Sequence, residues 1–581
     1  MRTRTTTRTT SASIMAALAL ATAAHGQGGY PDEPVSTDFL RGVYGFEIYA
    51  RTTSTGLFGR SIGPAGDFNG DGIDDLAVGS LTGSNGFATI LFGRAHAPFG
   101  DIIHVEDLDG TNGLVIRNIE GRVTGRSVAG VGDMNGDGGQ DLFVSSGRSA
   151  GEPNFVGYVL FGRPPGGPGE PMPARIELSE IGPDQGVVLV LGEPYAARNP
   201  YCVGAPAGDV NADGVPDLLV SAANIGVDGV RQGRVFVVYG NADGLPARID
   251  LHTLDGTDGF VILPEAVDDF LGVDVDGAGD VNGDGIDDII VSAPGALGSS
   301  SLSIERPGAA YVVFGRAGGL PAEVLLADLD GSNGFAFKPD DPRSIQAMGT
   351  DIAGVGDLNG DGLDDVAIGE SGADVDGLRA GVVHVIYGRT SGFPATLTPA
   401  DLTEETGLLV HEEPSIKAAF GWSVNSAGDV NADGRPDMVI GAPGEASQRA
   451  VVVFGQPADR PLGVGGVLDA SQAGGDGVFR LTGRAIMGQF GNDASGVGDI
   501  NADGADDIGV GAWLRNRAVV HLGGGLCPAD LVPDGVLDVF DFLEFLNLFD
   551  AGDPRANWDQ EGGFTIFDFL AFQTAFDAGC P

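Results

Sequence analysis

A nine-residue acidic segment occurs seven times along the 581-residue chain, and its residue types suit metal binding. The first copy reads Asp67-Phe-Asn-Gly-Asp-Gly-Ile-Asp-Asp75, and successive copies begin 66 to 77 residues apart. Oxygen-bearing side chains stand at positions 1, 3, 5 and 9, and alternate residues of a tightly curled loop can direct their oxygens at one centre. Three carboxylates, an amide and the main-chain carbonyl of position 7 form a hard-oxygen set, which favours Ca²⁺ over softer metals.

All seven loops supply the same candidate ligands. Loop by loop, they are Asp67, Asn69, Asp71, Ile73, Asp75; Asp133, Asn135, Asp137, Gly139, Asp141; Asp209, Asn211, Asp213, Val215, Asp217; Asp280, Asn282, Asp284, Ile286, Asp288; Asp357, Asn359, Asp361, Leu363, Asp365; Asp429, Asn431, Asp433, Arg435, Asp437; and Asp499, Asn501, Asp503, Ala505, Asp507. Position 6 is always glycine, which predicts a sharp turn with positive φ. One copy alone could be an ordinary Asp-Asn-Gly surface turn, but seven regularly spaced copies favour metal sites in a repeat architecture.

Short runs of β-branched and aromatic residues flank each loop and predict strands. In the first unit we expect strands over 58–66, 75–79 and 87–93, and an outer strand after Leu108-Asp-Gly. Four strands per unit are typical of a propeller blade. The early segment 45–49 matches an outer strand, so it should complete the last blade and leave few exposed edges. The expected fold is an all-β, seven-bladed propeller over residues 27–525, closed by the N-terminal strand.

The sixth unit resembles the FG-GAP repeat of integrin α-subunit propellers. Both segments that name the repeat are present, as Phe420-Gly421 and Gly441-Ala-Pro443. The resemblance implies a seven-bladed propeller with Ca²⁺ in the first hairpin loop of each blade, on the lower face. It also implies that ligands and partner subunits bind to the opposite face of the propeller. Integrin α-subunits fill only some blades with such loops, whereas this chain has one in all seven.

The N-terminus and the charge indicate where the protein acts. Residues 1–26 read as a signal peptide, with early arginines, an apolar stretch and a small-residue cleavage site before Gln27. No later apolar run is long enough to predict a membrane span. The net charge of −49 argues against nucleic acid and anionic membranes as partners. We therefore expect an exported protein, either secreted or at the cell surface.

Residues 526–581 have a different composition and contain a 27-residue duplication, in which Phe540-Asp-Phe-Leu-Glu-Phe545 returns as Phe567-Asp-Phe-Leu-Ala-Phe572. Each half reads as an EF-hand-like calcium loop that runs into a helix. The candidate ligands are Asp530, Asp534, Asp538, Asp541, Asn557, Asp559, Glu561 and Asp568. This small α-helical module resembles a dockerin, which implies up to two further Ca²⁺ ions and a cohesin-like or other cell-surface anchor as partner.

The three cysteines have separate expected roles. Cys527 and Cys580 bracket the dockerin-like module, and in an exported protein they predict an end-to-end disulfide. Cys202 falls in the predicted first strand of the third unit, where we expect a buried free thiol.

No group of residues predicts catalysis. Gly59-Arg-Ser-Ile-Gly63 matches a nucleophile pattern but lies in a predicted strand, and the histidines are scattered without zinc spacing. We expect a calcium-binding adhesion or recognition protein whose propeller binds an extracellular protein or glycan, with contacts from loops such as 295–308. Two alternatives remain open: an accessory or cryptic hydrolase acting on polysaccharide or phospholipid, and a structural outer-layer protein that self-associates through its tail.

Overall fold

The computed structural model describes most of residues 44–524 and a few positions on either side. The described ranges are 35–36, 44–51, 57–80, 86–95, 99–118, 123–147, 154–166, 171–192, 196–197, 202–223, 225–227, 230–231, 233–267, 269–295, 308–340, 348–412, 418–444, 448–471, 477–483, 488–524, 542–543, 545–546, 548–549, 569 and 572–573. The predicted signal peptide and most of loop 295–308 lie outside them.

The described strands form seven main sheets, which are the blades of a β-propeller. The innermost strands contact one another in order, and the seventh contacts the first, so the ring is closed. From the axis outward, the four antiparallel strands are Phe58–Gly66, Asp75–Ser80, Phe87–Leu91 and Gly113–Arg117 in blade 1; Thr124–Gly132, Asp141–Ser146, Asn154–Leu160 and Gly186–Leu191 in blade 2; Gly204–Gly208, Asp217–Ala222, Arg234–Val238 and Gly259–Leu263 in blade 3; Val275–Gly279, Asp288–Ala293, Ala309–Val313 and Gly334–Phe337 in blade 4; Met348–Gly356, Asp365–Glu370, Val382–Ile386 and Gly407–His411 in blade 5; Ser423–Gly428, Asp437–Ala442, Arg449–Val453 and Val478–Thr482 in blade 6; and Ala494–Gly496, Ile508–Ala512, Arg517–His521 and Gly45–Tyr49 in blade 7.

Each blade also has a short fifth strand, which the sequence analysis did not predict. This outermost strand pairs in parallel with the fourth and comes from the next repeat along the ring. For blades 1 to 7 the fifth strands are Arg175–Glu177, Arg248–Asp250, Glu323–Leu325, Thr396–Leu397, Val467–Asp469, Val35–Ser36 and Ile102–His104. Neighbouring blades are therefore joined by exchanged edge strands as well as by packing.

The N-terminal segment closes the ring, as predicted, and does so at two places. Gly45–Tyr49 pairs antiparallel with Arg517–His521 and supplies the fourth strand of blade 7. Val35–Ser36 pairs in parallel with the outer strand of blade 6 and adds its fifth strand. Residues at the start of the chain thus complete two blades built mainly from its last third.

The remaining elements are short. The 3₁₀ helices are Val105–Asp107, Leu178–Glu180, Leu251–Thr253, Leu326–Asp328, Pro399–Asp401 and Trp513–Arg515, and two small extra sheets comprise Ala196–Ala197, Ile225–Val227, Val230–Arg231 and Asp374–Val375, Leu378–Arg379. Within the described ranges no helix reaches seven residues, so the predicted helical C-terminal module is not shown. Only nine tail positions between 542 and 573 are described, all with helical backbone.

The core lies between adjacent blades rather than at one centre. Every residue of all seven second strands is buried, which explains why these strands read as continuous apolar runs. The buried side chains form seven clusters, each shared by two neighbouring blades, and one of them joins blade 7 to blade 1 through Phe46 and Phe58. This arrangement fixes the first strands around the axis and places all seven acidic loops at one end of them.

Candidate metal sites

Each acidic loop connects the first and second strands of its blade and is closed by its own carboxylates. The position 1 aspartate accepts hydrogen bonds from the position 5 and position 6 amides in every loop. In the first loop, Asp67 accepts from the amides of Asp71 at 2.9 Å and Gly72 at 2.8 Å. The same pair of bonds recurs in the other six loops. The loop therefore curls around its first carboxylate, as the sequence pattern predicts.

The position 5 aspartate accepts a hydrogen bond from the position 7 amide in all seven loops, as in Asp71 with Ile73 at 3.1 Å. The position 3 asparagine is more variable. In four loops its Oδ1 accepts from the position 5 amide, whereas in the third loop Asn211 Oδ1 is buried and has no hydrogen-bond partner among the described residues. A buried acceptor without a donor is costly unless something satisfies it, and a bound cation would do so.

The position 9 aspartate has a structural role that the sequence analysis missed. It is fully buried, and in Asp217 one oxygen accepts from the amide of Val210 at 3.1 Å and the other from Gly240 at 2.9 Å. The glycine that follows the third strand donates to the equivalent aspartate in every blade. This side chain ties the acidic loop to the end of the third strand.

Burial dominates the electrostatics of these position 9 carboxyls. Burial raises the pKa of Asp141, Asp217, Asp288 and Asp437 to about 8, and the loop's other aspartates raise it further while amide hydrogen bonds oppose the shift. The pKa of the equivalent groups in the other three blades, Asp75, Asp365 and Asp507, is also raised well above its usual range. Burial, and to a smaller extent the neighbouring loop carboxylates, therefore disfavours the charged form of each position 9 aspartate.

The glycine at position 6 adopts the predicted positive φ. Its φ is 92° at Gly72 and lies between 84° and 95° across the seven loops. Nothing lies within 4 Å of where a Cβ would stand on Gly72, so the backbone conformation, and not crowding, requires glycine there.

A further aspartate, at position 8, links neighbouring blades and was not singled out from sequence. Asp74 of blade 1 accepts a hydrogen bond from the amide of Asp499 in blade 7 at 3.2 Å, across the closure of the ring. Asp287, Asp364 and Asp506 make the equivalent bond to the preceding blade. The glycine immediately before the acidic loop of the preceding blade leaves room for this carboxylate, since a Cβ on Gly498 would lie 2.4 Å from Asp74 Oδ2.

The donor set fits a hard divalent cation, although calcium itself remains a prediction. Carboxylate and amide oxygens from positions 1, 3, 5 and 9 lie on one short loop, and a carboxylate has about four lone-pair sites, so two hydrogen bonds leave capacity for a ligand bond. In the part of the chain that the structure describes, no three His, Cys, Asp or Glu side chains are grouped so as to hold a metal.

Several predicted residues lie outside the described part of the chain. These are the tail ligands Asp530, Asp534, Asp538, Asp541, Asn557, Asp559, Glu561 and Asp568, and the cysteines Cys527 and Cys580. Cys202 is a free thiol, as predicted, buried just before the first strand of blade 3, and burial raises its pKa to about 12.

The nucleophile-like segment Gly59–Gly63 lies inside the first strand of blade 1, as expected from sequence. Ser61 Oγ accepts a hydrogen bond from the amide of Val128 in the next blade at 3.2 Å. The hydroxyl therefore helps to join two blades. In the described residues, no helix is both long and apolar enough to cross a membrane.

Comparison with known proteins agrees with this architecture. The FG-GAP repeat family model matches residues 58–91, 272–313, 348–386 and 420–454, which are the first three strands of blades 1, 4, 5 and 6. Phosphatidylinositol-glycan-specific phospholipase D of Homo sapiens is 28% identical over 301 residues, covering 50% of this chain and 32% of that protein. Integrin alpha-V of Gallus gallus is 30% identical over 164 residues, covering 28% of this chain and 14% of that protein. The chain thus spans about a third or less of the length of these relatives.

A solved rhamnogalacturonan lyase is 10% identical and aligns with 81% of this chain and 75% of its own, but its TM-score of 0.23 is too low to indicate a common fold. The classification rests instead on the repeat matches, the integrin similarity and the seven sheets. The chain contains FG-GAP repeats and folds as an FG-GAP β-propeller.

Proposed function

We propose that this chain is a secreted, calcium-binding adhesion or recognition protein. Its propeller would bind an extracellular protein or glycan, and its C-terminal module would attach it to a surface or scaffold partner. The observation that carries this proposal is the acidic loop, which occurs in all seven blades and in which the aspartates at positions 1 and 5 accept the same hydrogen bonds from backbone amides.

Calcium would serve structure rather than chemistry. The side chains of positions 1, 3, 5 and 9 and the carbonyl of position 7 would hold one ion per loop. The ion would neutralise carboxylates that converge on the loop and would satisfy Asn211 Oδ1 in blade 3. A ligand that binds only the folded state stabilises it by about 2.7 kcal/mol at a hundred times its dissociation constant. Seven such sites would make the propeller depend strongly on calcium.

This part of the proposal can be tested in a single loop. Asp213→Asn changes position 5 of the third loop, and Asp243→Asn removes the same charge from an exposed residue outside the nonapeptides. Equilibrium dialysis with radioactive calcium should find about seven ions per propeller, one fewer in Asp213→Asn, and no change in Asp243→Asn. An equal melting temperature with calcium and with chelator would contradict the proposal.

The described tail residues support a duplicated module. Phe545 and Phe572, which are equivalent across the duplication, stack with centroids 4.2 Å apart. The two cross contacts, Phe542 to Phe572 at 6.0 Å and Phe545 to Phe569 at 6.1 Å, are nearly equal. Such reciprocal contacts are typical of two similar segments related by an approximate two-fold axis. A cohesin-like or other cell-surface receptor is the partner that we propose for it.

Recognition can be tested with the full chain on an array of matrix proteins and polysaccharides, in calcium and in chelator. We expect calcium-dependent binding to at least one class of ligand. Absence of binding by folded protein in both conditions would favour a scaffold role through the tail.

Hydrolysis is the second candidate, because half of the chain aligns with a phospholipase D. The aligned region is only 32% of that relative, and the described hydroxyl of Ser61 bonds to a neighbouring blade. We therefore expect no turnover on polysaccharide or phosphatidylinositol-glycan panels.

A further inference from the structure

The first strands of the seven blades surround a cavity along the propeller axis, which we call the axial channel. Its volume is about 750 Å³, and all seven blades line it. Pockets of about 300–1,000 Å³ are typical of small-ligand sites. Unlike the symmetric acidic loops, the channel lining differs from blade to blade, so it can distinguish one ligand from another.

The acidic side chains of the channel already have structural partners. Asp274 accepts a hydrogen bond from the amide of Ile352 in the next blade at 3.0 Å, and Asp351 accepts one from Val424 at 2.8 Å. Asp493 likewise accepts from the amide of Ile62, across the closure of the ring, at 2.9 Å. These carboxylates join consecutive blades, and this role accounts for their presence without a ligand.

Two donor groups that line the channel are candidates for binding a ligand. Asn492 is 5% exposed, and its Nδ2 has no hydrogen-bond partner among the described residues. Arg60 occupies the equivalent repeat position in the next blade around the ring. Its side chain is half-buried and close enough to Asp493 to interact with the charge of that carboxylate. Both residues line the channel, so an unsatisfied amide donor and a guanidinium lie beside the same space.

An aromatic side chain lies at the same level. Trp422, immediately before the first strand of blade 6, lines the channel and is 40% exposed. Trp422, Asn492 and Arg60 each lie seven residues before their loop, on consecutive blades 6, 7 and 1. At about 3.3 Å per residue, this end of the channel is about 23 Å from the acidic loops. We call this end the channel mouth.

We propose that the channel mouth binds a terminal uronic acid of a glycan, with its carboxylate on Arg60 and Asn492 and a face of its sugar ring on Trp422. The guanidinium and the amide supply donors that a carboxylate accepts. The carboxylates of the opposite wall can accept hydrogen bonds from sugar hydroxyls. The proposal rests on the proposed glycan-recognition function and names the class of sugar and its site.

The net charge of −49 limits the form of this ligand. Long polyanions should be repelled, but charges farther away than about 8 Å are largely screened at physiological salt. A single terminal uronate in the mouth therefore avoids the distant charges and competes only with nearby carboxylates such as Asp493 for Arg60, whereas the interior of a uniformly charged polymer would also meet the acidic surface.

The test uses the full calcium-supplemented chain with D-glucuronate, D-glucose and acetate as probes. Isothermal titration calorimetry gives the affinities, and intrinsic fluorescence reports on Trp422, one of three tryptophans in the chain. We expect glucuronate to bind at least tenfold more tightly than glucose, which lacks the carboxylate, and than acetate, which lacks the sugar ring. The fluorescence change should disappear in Trp422→Phe.

Three variants make the test specific. Arg60→Gln and Asn492→Ala should each weaken glucuronate binding about tenfold or more, while Arg175→Gln, an exposed arginine on an outer strand, should not. Because Arg60 is half-buried, a melting curve for each variant must first match that of the unaltered protein, and Asn492→Ala and Trp422→Phe keep the proposal testable if Arg60→Gln fails to fold.

The outcomes separate this inference from the broader function. Glucuronate binding that Arg60→Gln and Asn492→Ala weaken, with a fluorescence change that Trp422→Phe abolishes, supports it, and no glucuronate binding by the folded protein overturns it. Equal affinities for acetate and glucuronate would overturn the proposal that the site recognises a sugar, and would leave a site for anions only. A ligand found on the array whose binding is unchanged by Arg60→Gln and Trp422→Phe would overturn the inference while the proposed recognition function stands.

Discussion

The closure of the ring by the N-terminus makes a quantitative prediction for Phe46. This side chain is 2% exposed, and its ring stacks on Phe99 with centroids 4.5 Å apart. Its strand pairs along its whole length with Arg517–His521. Replacing a buried phenylalanine with alanine costs about 3–5 kcal/mol, and the stacked aromatic pair adds about 0.5–1.5 kcal/mol beyond buried area. Phe46→Ala should therefore destabilise the propeller by about 4 kcal/mol.

The assay is urea unfolding at fixed, saturating calcium, followed by circular dichroism. An isolated N-terminal arm would lose almost nothing with this substitution, so the size of the effect reports on ring closure. Val464→Ala is the control, because Val464 is 87% exposed and surface changes of this kind usually stay within about 0.5 kcal/mol.

A loss of less than about 1 kcal/mol for Phe46→Ala would refute the reasoning. It would mean that blade 7 is complete without the N-terminal strand or that the ring is open in solution. A chain that begins at residue 52 is a second test, since it lacks both N-terminal strands and should unfold at a markedly lower urea concentration.

Three further predictions concern other parts of the propeller. Ala432 has a φ of 55° in the sixth acidic loop, so Ala432→Gly should raise stability in urea by about 0.5–1 kcal/mol. Gly360→Ala, at the same position of blade 5, should lower stability because the new Cβ would lie 2.6 Å from the Gln456 carbonyl oxygen. Burial raises the pKa of Asp274 to about 6, so folding takes up protons between about pH 4 and 6. The free energy of unfolding in saturating calcium should therefore fall as the pH rises through this range, and Asp274→Asn should flatten that profile. The buried Cys202 should resist alkylation at pH 8, as read by peptide mapping, until urea unfolds the chain.

The regular parts of the blades could be predicted from sequence because their signals are local. The first strand of blade 1 was expected over 58–66 and is Phe58–Gly66, and the second was expected over 75–79 and is Asp75–Ser80. Alternating small and apolar residues before a turn signal mark these strands. The closing role of Gly45–Tyr49 followed from counting complete units, which is a property of the whole repeat array.

The fifth strands could not be predicted in the same way. They are two or three residues long, as in Val35–Ser36, and a segment of that length carries no hydrophobic period. Their partners belong to another repeat: Arg175–Glu177 pairs with a strand of blade 1 although it lies within the second repeat. Only the packing of one blade on the next brings such a segment to a sheet edge.

Contacts between blades were missed for a related reason. Asp74 and the amide of Asp499 are 425 residues apart, and their hydrogen bond exists only because the ring closes. The side chains of the channel mouth likewise come from separate blades: Arg60 and Asn492 share a repeat position, seven residues before their loops, but only closure of the ring makes their blades neighbours. Sequence periodicity identifies positions that every repeat shares, whereas these contacts depend on which residue the neighbouring repeat has.

The position 9 aspartate shows how one residue type in one pattern can have two roles. From spacing alone Asp217 was assigned as a metal ligand, but its two hydrogen bonds also join the loop to the third strand. Burial raises the pKa of this carboxyl to about 8, so at neutral pH its negative charge is unfavourable beside the other loop aspartates. A cation would favour the charged form, while the two amides hold the carboxylate in place whether or not the ion is bound. If calcium binds as we propose, folding of the hairpin and metal binding would therefore depend on the same side chain in every blade, and calcium removal should weaken all seven blades together.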